Sequence, residues 1–157
     1  MNLKQNNMIK KIIYASICIF ILSSCGSTKV LPTTGEVKKS SETVGVLVLN
    51  AKGYGTSQSE ALDHAKEQAF TNLFFRGVSN TSYAKAMIGN EEESKKAHKR
   101  FFKEFFKNKG FNKFISNTDI TKAYNKKTKS IECNISININ SLRSNLEENG
   151  VISGFKF

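Results

Sequence analysis

The chain has 157 residues, with 24 Lys and Arg against 13 Asp and Glu and a formal net charge of +11. Such charge in a cytosolic protein points to nucleic acid, because lysines that neutralise phosphates release counterions, whereas an exported protein rarely meets any. The partners left are anionic lipid headgroups, acidic wall polymers or another envelope protein, towards which the charge steers association without fine specificity.

Lys10 and Lys11 precede an apolar run from Ile12 to Leu22, which ends in Ser23, Ser24 and Cys25. A basic start, a short apolar core and small residues before a cut site make a secretory signal, too short and wrongly flanked to span a bilayer. Leu22-Ser23-Ser24-Cys25 resembles the lipobox of bacterial lipoproteins. The resemblance implies that the Cys25 thiol receives a diacylglycerol, that residues 1–24 are removed as a lipoprotein signal peptide, and that the new amino group is acylated. Gly26 stands where an acidic residue retains lipoproteins in the inner membrane of two-membrane bacteria, so by the same resemblance the outer membrane is the expected location.

Three units of the charge belong to Lys4, Lys10 and Lys11 of the signal, and the mature chain keeps +8 of the +11. Cys18 leaves with the signal and Cys25 takes the lipid, which leaves Cys133 alone and excludes an intramolecular disulfide. Residues 25–157 have room for one compact domain and hardly for two. The stretch 25–43 reads as the lipidated cysteine and a flexible tether, rich in Ser, Thr, Gly and Lys around the single proline, Pro32. Fully extended it reaches ~60 Å, and as a random coil roughly 23 Å. A single domain is expected over 44–157.

Val44 to Leu49 is a continuous apolar run of strand length, as in a central strand covered on both faces. Ser57 and Glu60 have capping-box spacing, and a helix is expected from there to about Phe75. Its alanines, Ala61, Ala65 and Ala69, recur every fourth residue, placing small side chains where a helix lies close on a sheet. Gly77 is a natural stop. Residues 78–90 show too little periodicity to assign. Asn90 with Glu91, Glu92 and Glu93 opens a second helix expected to run to Gly110, with acids in its first turn and lysines in its last.

An extended segment from Thr118 to Tyr124 turns at Asn125–Lys129 into the clearest alternation of the chain. Ile131, Cys133, Ile135, Ile137 and Ile139 alternate with Glu132, Asn134, Ser136, Asn138 and Asn140, the pattern of a strand with one buried and one wet face. That strand position reads Cys133 as a buried structural thiol. Ser141 is the expected cap of a short helix carrying Leu142 and Leu146. The fold class that follows is α+β: a small sheet of three or four strands, mainly antiparallel, packed by two main helices plus a short C-terminal helix.

No motif carries a recognisable reaction. Gly53-Tyr54-Gly55 before a helix suggests an anion loop, but a dinucleotide fingerprint needs glycine where Gln58 stands, and a P-loop needs an absent Gly-Lys-Ser/Thr. His64 and His98 lack ligand spacing, and Asp63 and Glu67 beside His64 read as ordinary helix decoration. Glu91 to Glu93 are helix-start chemistry. Neither Gly-x-Ser-x-Gly nor His-Glu-x-x-His occurs. No catalytic, metal-binding or cofactor-binding residue is therefore expected. Lys99 to Lys107 interleaves aromatics and cations, as membrane-surface helices do, although a domain this small needs Phe101, Phe102, Phe105 and Phe106 inside.

With Gly53, Gly55, Ala61, Ala65, Ala69 and Leu73 in view, the segment from Val46 to Val78 resembles a small family of bacterial envelope lipoproteins named for a twenty-kilodalton member. It also resembles the N-terminal domain of a flagellar T-ring-associated protein. The resemblance implies a helix-on-sheet domain that works as a binding or assembly module. A membrane-anchored, non-enzymatic envelope lipoprotein is the expected function, with an envelope hydrolase or transferase as the alternative.

Overall fold

β2 (Val46–Tyr54) alternates half-buried and fully buried side chains along its whole length, and β4 (Ser130–Asn138) does the same from Ile131. The two pair antiparallel, with Leu47 opposite Ile137, Leu49 opposite Ile135 and Ala51 opposite Cys133, so a period of two gathers one apolar ladder on one face. β1 (Val37–Thr43) and β3 (Ile115–Asn125) complete a four-stranded antiparallel sheet in the order β1-β2-β4-β3. The computed structural model describes residues 31, 32 and 34–154, all within one compact unit, Leu31–Phe157. The signal segment and Cys25 lie outside the described residues.

The apolar ladder packs on α1 (Gln58–Phe75), where Ala61, Ala65 and Ala69 are fully buried. Ser57 caps α1, its Oγ accepting from Glu60 N at 3.2 Å. The Glu60 carboxylate reaches one residue further back than a capping box requires, accepting from both the N–H and the hydroxyl of Thr56. At the other end the carbonyls of the last turn find partners outside the helix. Gly77, left-handed at φ 80°, donates its N–H to Asn72 O at 2.7 Å, and Met87 and Ile88 donate theirs to Leu73 O and Phe74 O at 3.1 and 2.9 Å. Residues 78–90, silent in periodicity, are thus held as a loop by helix carbonyls.

The opposite face of the sheet is polar. Asn50 donates to Asn134 Oδ1 at 2.9 Å and to Thr121 Oγ1 at 3.2 Å, and Glu132 lies between Lys122 at 2.8 Å and Lys52 at 3.9 Å. The run from Val44 to Leu49, expected to be covered on both faces, is therefore buried on one. Val44 is fully exposed and, with Gly45 at φ 78°, forms the turn joining β1 to β2. The Gly45 carbonyl accepts from Ile139 N at 2.9 Å, docking this turn on the start of α4 (Ile139–Glu148).

The stretch expected to be tether is strand from Val37 onward. Val37 is the sole apolar residue of β1 (Val-Lys-Lys-Ser-Ser-Glu-Thr), which holds its place through ladder bonds to β2, and backbone pairing leaves no trace in hydropathy. Helix α4 starts three residues earlier than expected because Asn138, not Ser141, is the cap, its Oδ1 accepting from Ser141 N at 3.0 Å. Between Asn90 and Gly110 one continuous helix was expected; the chain instead forms α2 (Glu91–Ala97), α3 (Lys99–Phe102) and a π-turn, Lys103–Lys107, followed by a 3₁₀ turn, Gly110–Phe114. The fold is α+β, an antiparallel sheet with its helices on one face. Among the described residues no helix is long and apolar enough to cross a membrane.

Candidate binding cleft

Phenylalanines occur in adjacent pairs at 101/102 and 105/106 and again at 111 and 114, an arrangement that a straight helix spreads around too wide an arc to bury. The chain resolves this by changing its pitch. His98 interrupts the helix at φ −117°, ψ 43°, the π-turn widens the next turn, and Lys109 adopts a left-handed φ of 55° before the 3₁₀ turn. The result buries Phe102, Phe105, Phe111 and Phe114 and leaves Phe101 and Phe106 half-buried. Phe105 is the hub, with ring centroids 5.0 Å from Phe74, 5.3 Å from Phe70 and 6.3 Å from Phe111. Most of the aromatic surface that an interfacial helix would press into lipid is thus inside the protein.

The broken helix stands away from the C-terminal end of α4 and leaves a cleft of about 460 Å³ between them, within the range of small-molecule sites. Phe101, Phe105 and Phe114 line it as three nearly parallel rings, Phe101 stacked on Phe105 at 5.5 Å and Phe105 on Phe114 at 5.8 Å. Lys99, Arg100 and Lys113 supply positive charge, His98 and Glu104 complete that side, and Asn145 and Asn149 face them from α4. The Glu104 carboxylate accepts from Asn108 Nδ2 at 2.6 Å. Two smaller hollows, of about 190 and 210 Å³, lie at the β1–β2 turn and at the β3–β4 hairpin.

Most other residues singled out in the sequence serve packing. A Cβ at Gly53 would meet Ala61 O at 2.0 Å, and one at Gly55 would meet Ala61 N at 2.4 Å, so both glycines admit α1 onto the sheet and leave no cradle for a phosphate. The first turn of α1 is already served by Ser57 and Glu60. His64 Nδ1 accepts from Tyr54 N at 3.0 Å and its Nε2 lies 3.2 Å from the Gln68 carboxamide, an attachment of helix to strand. Asp63 holds Lys109 at 2.6 Å, and Glu91 holds Lys95 at 2.7 Å. Among the described residues no group of three or more His, Cys, Asp or Glu side chains is placed to hold a metal. Cys133 is fully buried, and burial pushes its thiol up to about 11, away from nucleophilic use at neutral pH.

Of the candidates named beforehand, His98 and the Lys99–Lys107 segment reach the cleft. Lys113, Asn145 and Asn149 had no sequence signal, because the fold alone brings the 3₁₀ turn and the end of α4 beside residues 97–105. Comparison with known protein families, with characterised proteins and with solved structures finds no match for this chain. The chemistry of the cleft is read from its own residues.

Proposed function

We propose that this chain is an exported lipoprotein of the bacterial envelope, anchored in the outer membrane through a lipid on Cys25, whose α+β domain is a non-enzymatic binding or assembly module. The observation that carries the reading is Leu22-Ser23-Ser24-Cys25 at the end of the apolar run behind Lys10 and Lys11. A cleft with an aromatic lining and cationic walls agrees with a module that binds, and the basic surface agrees with an anionic envelope component as partner. The glycine and alanine positions of the strand, turn and helix unit resemble the pattern of envelope lipoproteins of the binding type, and the proposal follows that resemblance. With Glu36 O accepting from Lys52 N at 2.9 Å, Gly35 packed against Lys52 and β1 beginning at Val37, residues 26–34 are the most that is left for a tether, ~32 Å of extended chain.

Membrane fractionation of cells producing the Cys25→Ala variant tests the anchor. The expected result is loss of membrane attachment, together with loss of the acyl mass carried by the wild-type protein. Unchanged attachment of the variant overturns the reading.

A further inference from the structure

We propose that the cleft between residues 97–114 and α4 binds a small amphiphilic phosphate, a phosphate monoester on a short hydrocarbon body. The phosphate is held by Lys99, Arg100 and Lys113, and the body lies against the half-buried Phe101, beside the edges of the buried Phe105 and Phe114.

Charge complementarity carries the choice of ligand. Among the described residues no carboxylate pairs with Lys99, Arg100 or Lys113, whereas Lys95, just before the cleft segment, and Lys109, within it but not lining the cleft, hold Glu91 and Asp63. Three cations face one carboxylate, Glu104, which is already engaged by Asn108. The end of a helix repels anions through its bare carbonyls, yet three of the last four of α4 are covered. Asn145 O accepts from the N–H and side-chain amide of Asn149, Leu146 O from Val151 N, and Glu147 O from Gly150 N. A phosphate monoester carries close to two negative charges at neutral pH, and the planar fork of Arg100 suits its oxygens. The half-buried Phe101, with the edges of the buried Phe105 and Phe114 beside it, offers an apolar patch that a bare anion leaves unused.

Backbone irregularity coincides with the same place. The break at His98, the π-turn and the left-handed Lys109 all fall in the segment that makes one wall; π-turns recur at functional sites, and strain of this kind persists where the surrounding structure over-determines it.

The inference rests on the reading of the domain as a binding module, and it stands whether or not Cys25 carries a lipid, so the fractionation test and the following titration fail independently. The full chain, in a fixed concentration of non-ionic detergent, is titrated with hexyl phosphate, inorganic phosphate and hexanol, and binding is read by calorimetry. Hexyl phosphate is expected to bind one saturable site at least ~10-fold more tightly than either fragment, about 1.4 kcal/mol or more. The double variant Arg100→Ala, Lys113→Ala is expected to weaken it by ~10-fold or more. Ala97→Phe, at an exposed position of the wall, is expected to block it by filling the cleft. Thermal melts of all variants check that each is folded. Hexyl phosphate binding no tighter than hexanol, or no tighter than inorganic phosphate, overturns the proposal; so does wild-type affinity in the folded variants.

Discussion

Gly53 lies so close under α1 that a Cβ there would stand 2.0 Å from the carbonyl oxygen of Ala61. The same Cβ would meet Ala65 N at 2.4 Å and Ala65 Cβ at 2.8 Å. Backbone atoms of a packed helix cannot swing aside as a side-chain tip can, so one methyl group must lift α1 from the sheet. Gly53→Ala is expected to destabilise the domain by about 3 kcal/mol or more, seen as a lower urea midpoint. A midpoint within experimental error of wild type would mean that strand and helix are not in this contact.

Phe105 and Phe106 are neighbours in sequence with unequal roles. Phe105 is buried among Phe70, Phe74, Phe101, Phe111 and Phe114, whereas Phe106 is half-buried. Phe105→Ala is expected to cost about 3–5 kcal/mol, and Phe106→Ala distinctly less. Equilibrium unfolding of the pair checks this ordering. The reverse ordering would place Phe106 at the core and turn the π-turn the other way round.

Tyr54 N donates to His64 Nδ1, so the ring acts as an acceptor at the point where β2 ends and α1 passes over it. His64→Ala removes that acceptor and is expected to cost about 1–2 kcal/mol. Amide hydrogen exchange at Tyr54 provides a local reading, and faster exchange is expected in the variant. An unchanged exchange rate would show that the bond is not made in solution.

Cys133 has a pH signature. An exposed thiol loses its proton near 9.0, whereas burial holds the folded thiol protonated to about 11. Between those values the folded state binds more protons than the unfolded one, so the stability contributed by the neutral thiol is complete below pH 9 and is lost as pH rises towards 11. The stability difference between wild type and Cys133→Ala is therefore expected to shrink across this window. A difference independent of pH would count against a buried thiol. A disulfide-exchange reagent should label the wild type at neutral pH only at the rate at which the domain opens.

Where a residue pattern and its cause are local, the fold was legible beforehand. The alternation from Ile131 to Ile137 places a half-buried strand whatever surrounds it, and the Ser57 cap with the Ala61, Ala65, Ala69 stripe places α1 and its buried face. The strand β1 was not legible, because a polar edge strand is selected by the ladder of its neighbour and its hydropathy matches that of a tether. The break of the 90–110 helix was hidden for a related reason. Capping, propensity and aromatic spacing all agree locally with one helix, and only the need to bury rings against Phe70 and Phe74 changes its pitch.

The sequence by itself determined the α+β class, the half-buried strand with its buried thiol, the alanine stripe by which α1 lies on the sheet, and the basis for expecting a lipid on Cys25. These depend on residues within a few positions of one another. The tertiary structure alone decided that Lys99, Arg100, Lys113, Asn145 and Asn149 share one cleft. Residues so far apart in the chain meet only after the aromatic core has closed, and no spacing rule encodes that meeting.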